Sequence, residues 1–303
     1  MDSILANVKG IEKTYGKNGF RLHPISFTLK AGEITGLVGQ NGNGKTTLLN
    51  MISGDLLPDK GEIDYGFEKD AAVPNFKKDI GYINQTLPTW SGSVYENLHF
   101  NAAIHGILGK ENKKYVDQLI KDLDLWEYRH LDWSALSGGY KMRFELAKIL
   151  AGRPRLMILD EPLANLDIKA QTSFLNDLRN YIKRVDYPIS MIVSSQHLYK
   201  IEEVSDYLIF LKKGENIYNG RLDELNTSMG LAVYELEVKT NQDIFEKSLV
   251  HDSIERFTKS GNTYLVYCKE DFKAKDFLQF LLDNDIDIQA YRNITKSSRQ
   301  FFE

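Results

Sequence analysis

The sequence predicts an α/β domain built on a mostly parallel sheet, followed by a smaller α+β unit. Three observations carry that prediction. Apolar runs of strand length at Glu33–Val38, Leu156–Leu159 and Ile189–Ser194 alternate with segments of helical periodicity, the pattern of buried parallel strands covered on both faces. A glycine-rich segment, Gly39–Gly44, joins the first of these runs to a helical one. From about Leu222 the texture changes to short elements in the order β-α-β-β-α-β, which fits a ferredoxin-like unit. A chain of 303 residues has room for both.

The elements follow in order. Ala6–Ile11 and Ile25–Leu29 read as strands, Ala31-Gly32 as a turn, and Lys45–Ser53 as a helix. Residues 93–151 are mostly helical: apolar positions fall at 116, 119, 120 and 123, and again at 142, 146, 149 and 150. A further helix is expected near Ala170–Arg184. In the last part, Leu231–Val238 is strand-like and Asp243–Leu249 helical. Ile254–Thr258 and Thr263–Cys268 form a hairpin around Ser260-Gly261-Asn262, Asp271–Asp283 is an amphipathic helix, and Ile286–Arg292 is a closing strand. The expected domains are therefore 1–225, with its helical part at about 93–151, and 226–303.

Composition narrows the function classes. The chain is 42% hydrophobic and 26% charged with a net charge of −4, ordinary for a globular protein and acidic for a nucleic-acid binder. Nucleic acid is not the expected partner. The lone cysteine, Cys268, rules out an internal disulfide or a multi-cysteine zinc cluster and fits a reducing compartment. No basic start with a following apolar run marks a secretory signal, and no stretch approaches the ~20 apolar residues that cross a bilayer.

The segment Gly39-Gln40-Asn41-Gly42-Asn43-Gly44-Lys45-Thr46 matches G-x-x-x-x-G-K-[ST] between a strand and a helix, the setting that a phosphate cradle requires. Glycines let backbone N–H groups turn inward, and the helix N-terminus adds free donors and partial positive charge. Lys45 supplies a mobile ammonium, and the Thr46 hydroxyl can ligate Mg²⁺. The strand Leu156–Leu159 ends in Asp160-Glu161-Pro162. Asp160 is placed to hold Mg²⁺ and Glu161 to polarise water as a general base.

Leu136-Ser137-Gly138-Gly139-Tyr140, at the head of an amphipathic helix and upstream of that aspartate–glutamate strand, resembles the LSGGQ-type motif of the ABC ATPases. Physically it is a second phosphate-binding helix start, which makes sense if it caps ATP held by another subunit. The resemblance covers about residues 4–222. It implies an ABC ATPase fold, a P-loop NTPase with a mostly parallel sheet, an antiparallel β subdomain and a helical subdomain. It implies Tyr15 as the adenine-stacking aromatic, and Gly39, Gln40, Asn41, Gly42, Asn43, Gly44, Lys45, Thr46 and Thr47 around the phosphates, with Ser137, Gly138 and Gly139 capping in trans. Gln85 matches the Q-loop glutamine on Mg²⁺ and water, Asp167 the dimer-coupling D-loop, and His197 the switch histidine. The remaining histidines, His23, His99, His105, His130 and His251, are expected to be structural or exposed. Tyr140 in place of the usual glutamine, and Leu163 with Ala164-Asn165 before Asp167, depart from the family pattern.

The resemblance implies ATP and Mg²⁺ as cofactors, and as partners a separate integral-membrane permease and a second copy or a homologous ATPase subunit. The expected place is cytoplasmic, peripheral on the inner face of the cell membrane, and the expected direction of transport is export, a lean resting on the C-terminal unit and the ending Ile294–Phe302. The alternative is a soluble ABC-type ATPase acting on ribosomes or nucleic acid. Ribosome-acting members carry two such domains and DNA-repair members a long coiled coil. A small-molecule P-loop kinase leaves Ser137–Gly139 and His197 unexplained.

Overall fold

The structure, a computed structural model, describes residues 3–16, 19–67, 76–222, 224 and 231–295. Two compact units divide the chain, Met1–Gly220 and Arg221–Glu303. The boundary expected at 225/226 lies outside the described residues, as does the Ile294–Phe302 ending beyond Thr295.

The first unit opens with antiparallel β1 (Ile4–Thr14) and β2 (Arg21–Lys30). Leu22, Ile25, Phe27 and Leu29 of β2 are buried and alternate with more open positions, so this sheet keeps one face on the core. β3 (Ile34–Val38) is buried at every position. The glycine-rich loop leads into α1 (Lys45–Ile52), and β4 (Lys60–Tyr65) returns to pair with β1, giving the order β2-β1-β4. Leu48, Leu49 and Ile52 of α1 share one core with Val8, Ile11 and Phe27 of the antiparallel sheet and with Leu37, Ile158 and Ile192 of the parallel one. Truncating any of these helix residues to alanine costs about 2–5 kcal/mol.

β5 (Ile80–Ile83) precedes three helices: α2 (Val94–Ile104), α3 (Gly109–Asp122) and α4 (Gly138–Leu150). α2 starts at a capping box. The Glu96 amide donates to Ser93 Oγ at 3.2 Å and the Ser93 amide to Glu96 Oε2 at 2.9 Å. The periodic positions Val116, Leu119 and Ile120 of α3 and Met142, Leu146 and Leu150 of α4 are buried, as the spacing requires.

Next come β6 (Leu156–Leu159), α5 (Ile168–Arg184), β7 (Ser190–Ser195), α6 (Leu198–Glu202), β8 (Tyr207–Lys212) and β9 (Glu215–Arg221). The second sheet has the order β5-β6-β7-β3-β8-β9, and its first five strands pair in parallel. β8 and β9 are joined through Lys213 and Gly214, both at positive φ (51° and 81°), as a two-residue hairpin turn demands. The register pairs Val38 with Ser195, Leu159 with Val193 and Ile83 with Leu159. Parallel strands in register deliver all their following residues to one sheet edge, where open α/β sheets bind ligands.

The second unit comprises β10 (Leu231–Val238), α7 (Gln242–Ser248), β11 (Ile254–Ser260), β12 (Thr263–Lys269), α8 (Ala274–Asp283) and β13 (Ile288–Asn293). They form an antiparallel sheet in the order β11-β12-β10-β13, and the β-α-β-β-α-β sequence is the one expected. Tyr234, Val266 and Cys268 pack with Phe245 of α7 and with Phe277 and Leu281 of α8. Burial pushes the Cys268 thiol up to about 12, so it behaves as a small apolar residue.

Candidate functional site

The glycine-rich loop is held in shape by its own side chains. Gly42 and Gly44 are left-handed at φ 80° and 99°, and a Cβ at Gly44 would sit 2.7 Å from the Phe20 ring, so glycine is required there. Asn43 spends both amide ends on the β8–β9 hairpin, Nδ2 donating to the Leu211 carbonyl at 3.1 Å and Oδ1 accepting from the Lys213 amide at 3.0 Å. Its side chain therefore anchors the loop and leaves only its backbone for a ligand. Gly44 caps α1, no side chain caps that helix, and its first turn carries no acidic residue. The loop thus faces an uncapped, partially positive helix start.

Behind the loop lies a buried polar cluster. Lys45, Asp160 and Glu161 are 5%, 6% and 7% exposed. Lys45 Nζ donates to the Gly39 carbonyl at 2.6 Å and the Gln40 carbonyl at 3.3 Å. It also lies 3.0 Å from Glu161 Oε1, although that oxygen makes no hydrogen bond of good geometry. The contact is therefore a charge pairing rather than a directed bond. Thr46 Oγ1 donates to Asp160 Oδ2 at 2.7 Å. Ser194 Oγ donates to Asp160 Oδ1 at 2.7 Å and accepts from the Glu161 amide at 2.8 Å. Glu161 is left-handed at φ 49°, a conformation costing of order 1–3 kcal/mol for a side chain of this kind. Ser194 steadies that backbone through the Glu161 amide.

Ser194 is the residue that sequence reasoning missed. Its signal is a serine pair closing a buried strand beside the strand that carries the carboxylates.

The Thr46 hydroxyl and Asp160 carboxylate offer two adjoining hard oxygen donors. Among the described residues no group of three His, Cys, Asp or Glu forms a metal cage. A magnesium ion shared with substrate phosphates uses one or two protein carboxylates and keeps the rest of its shell for phosphate and water, so these donors fit it.

The other expected residues take their places around this cluster. Tyr15 is 43% exposed, its hydroxyl 3.3 Å from Thr47 Oγ1, which sets an open aromatic ring beside the loop. Gln40 and Asn41 are exposed along it. Gln85, two residues past β5, and His197, two past β7, are exposed at the same strand edge. The His197 amide donates to Ser195 Oγ at 2.9 Å.

The segment Ser137–Gly139 forms a second helix start. Ser137 is the N-cap of α4, but its side chain makes no capping bond. Ser137 and Gly138 are exposed beside a cavity of about 380 Å³ that Gly139, Tyr140, Asp167 and Lys169 help to line. The Tyr140 ring lies 4.0 Å from that of Tyr128 at a tilt of 34°, which gives the departure from glutamine a packing partner. Arg143 fixes α4 to α5, donating to Asp177 Oδ2 at 2.9 Å and Ser173 Oγ at 2.6 Å. Asp167 caps α5, its Oδ1 accepting from the Ala170 amide at 2.8 Å, and Leu163 is buried.

Residues 22–164, which contain the loop, Gln85, Ser137–Gly139 and Asp160-Glu161, match the protein-family model described as ABC transporter. The phosphonates import ATP-binding protein PhnC of Treponema denticola is 30% identical over 263 residues, covering 81% of this chain and all of that protein. The chain belongs to the ABC transporter ATP-binding family. The spermidine/putrescine import ATP-binding protein PotA of Clostridium acetobutylicum is 28% identical over 260 residues, 80% of this chain and 73% of that protein. Among solved structures, cbiO1 of Clostridium perfringens, part of the ABC transporter complex cbiONQ, superposes with a TM-score of 0.63 at 26% identity, covering 76% of this chain and 96% of that one. The ABC domain binds ATP, and its activity is ATP hydrolysis coupled to transport. Among the described residues no helix is long and apolar enough to cross a membrane.

Proposed function

We propose that this ABC subunit works in pairs, two copies or one copy with a homologous subunit closing head to tail on ATP and Mg²⁺. Gly39–Thr46 of one chain and Ser137–Gly139 of the other grip one triphosphate. The observation that carries this reading is the contrast between the two helix starts. The loop before α1 is backed by the buried Lys45, Asp160 and Glu161, whereas the Ser137 side chain at α4 is exposed and makes no capping bond. Thr46 and Asp160 would hold Mg²⁺, which would supply charge neutralisation at the phosphates, and Gln85 stands at the same strand edge. Lys45 moves from the Gly39 carbonyl to the phosphates, releasing Glu161 to orient water, and His197 faces the terminal phosphate. Asp167 lies at the joint and Tyr15 stacks on adenine.

Closure pulls on a separate integral-membrane permease, which places the chain on the cytoplasmic face of the cell membrane. Export, the direction leaned on from the C-terminal unit, draws no support from the relatives, two of which are named for import.

The test is light scattering on the Glu161→Gln variant with ATP and Mg²⁺. It is expected to dimerise, and a second substitution, Gly138→Asp, to abolish dimers. A Cβ at Gly138 meets nothing nearer than the Asn165 carbonyl at 3.7 Å, so the chain tolerates the change while a carboxylate opposes phosphate. Monomers at saturating ATP would overturn the pairing. Turnover of Glu161→Gln should fall at least about 100-fold, the worth of a general base. A near wild-type rate would remove Glu161 from that role.

A further inference from the structure

Between β5 and α2, the segment that carries Gln85 has no helix or strand of its own from residue 84 to 92. It is fastened to α4 at one point. The indole Nε1 of Trp90 donates to Glu145 Oε1, and Glu145 is 3% exposed. Lys148, one turn further along α4, stands 3.5 Å from the centroid of the Trp90 ring and 3.8 Å from Glu145 Oε2. One edge of the indole is thus bound to a carboxylate and one face to an ammonium, both from the same helix.

That helix begins at Ser137, so Glu145 sits about two turns down a rigid rod from the exposed Ser-Gly-Gly start. Burial pushes the Glu145 carboxyl up and the Lys148 ammonium down. Both charges are therefore kept at a cost in solvation, which makes the arrangement an expensive way merely to fill space. The same three side chains line a groove of about 320 Å³ whose other wall is the segment itself, through Asn84, Leu87 and Pro88. Anything that moves the segment pulls on α4 through Trp90.

We propose that Trp90 is a positioning residue that clamps the Gln85 segment to α4 through Glu145, so that Gln85 and Ser137 shift as one body. The inference rests on the proposed roles of Gln85 and Ser137 at the nucleotide. Neither Trp90 nor Glu145 touches the reacting atoms; they set the relation between two groups that do.

Steady-state ATPase assays on the full chain, with ATP binding measured separately, test it. Trp90→Phe keeps a ring and loses the donor. Glu145→Leu loses the acceptor and reads the same bond from the helix side should Trp90→Phe fold poorly. Each is expected to lower kcat about tenfold with KM for ATP within about twofold, and the double variant to be no worse than either alone, as for two ends of one bond. Glu145→Gln, whose amide oxygen still accepts the indole N–H, should stay within about twofold of wild type. Wild-type kcat in both Trp90→Phe and Glu145→Leu, or a Glu145→Gln enzyme as slow as Glu145→Leu, would overturn the clamp. A wild-type chain that neither binds nor hydrolyses ATP would overturn the reading of the site itself, and the clamp with it.

Discussion

The two phosphate-type helix starts of the first unit are built to different degrees. At α1, Lys45, Asp160, Glu161 and Ser194 are buried and in contact, and Thr46, itself exposed, donates to Asp160. At α4, Ser137 and Gly138 are exposed, and the serine caps nothing. The first is closed on its own side chains and the second stands open to solvent, the contrast on which the proposed pairing rests.

That contrast can be broken at several points. The largest effect is expected from Lys45→Met, which leaves Glu161 buried beside no counter-charge. Stability should fall by about 3–5 kcal/mol in chemical denaturation, ATP titration should show binding lost, and Lys45→Met/Glu161→Gln should recover most of the stability. Next, Ser194→Ala deprives Asp160 of a donor and the Glu161 amide of its acceptor, at a cost of about 1–3 kcal/mol. Turnover should drop more than ATP affinity, because the serine touches the carboxylate strand rather than the loop. At the open site, Ser137→Ala should leave stability within about 0.5 kcal/mol of wild type, without the usual cost of losing an N-cap, yet weaken ATP-driven pairing. A loss of stability of 1 kcal/mol or more would mean that Ser137 is already engaged within one chain.

The smallest effect concerns pH. Burial raises the Glu145 carboxyl, so the folded chain holds that proton to higher pH than the unfolded chain does. The associated stability is fully present below the ordinary carboxylate value of about 4.3 and is lost as pH rises through the raised one. Glu145→Gln has no such loss, so its melting temperature relative to wild type should climb from acidic towards neutral pH. Lys148, lowered by burial, works with the opposite sign in a more alkaline window. A flat difference across the acidic-to-neutral range would show Glu145 ionising as a solvated acid.

Local features were legible in the sequence and distant ones were not. The loop Gly39–Thr46, the apolar strands read as ending at Val38, Leu159 and Ser194, and the β-α-β-β-α-β order of the second unit all follow from adjacent residues, because period and turn chemistry are short-range. β4 and β9 have few or no fully buried positions and so display no apolar run; backbone pairing makes them, β4 with the distant β1 and β9 with β8 across the hairpin turn. Ser194 binds a carboxylate 34 residues away, and Trp90 one 55 residues away. No spacing rule reaches that far. The left-handed Glu161 was equally hidden, since the proline after it restricts the residue without dictating a positive φ.

The anchoring of Asn43 to the β8–β9 hairpin reaches beyond the loop it steadies. A receptor that has already adopted its bound shape spends little freedom on capture. Cutting that tether with Asn43→Ala should therefore show first in weaker and slower nucleotide uptake, while the hydrolysis step, run by side chains on other strands, proceeds once the ligand is home.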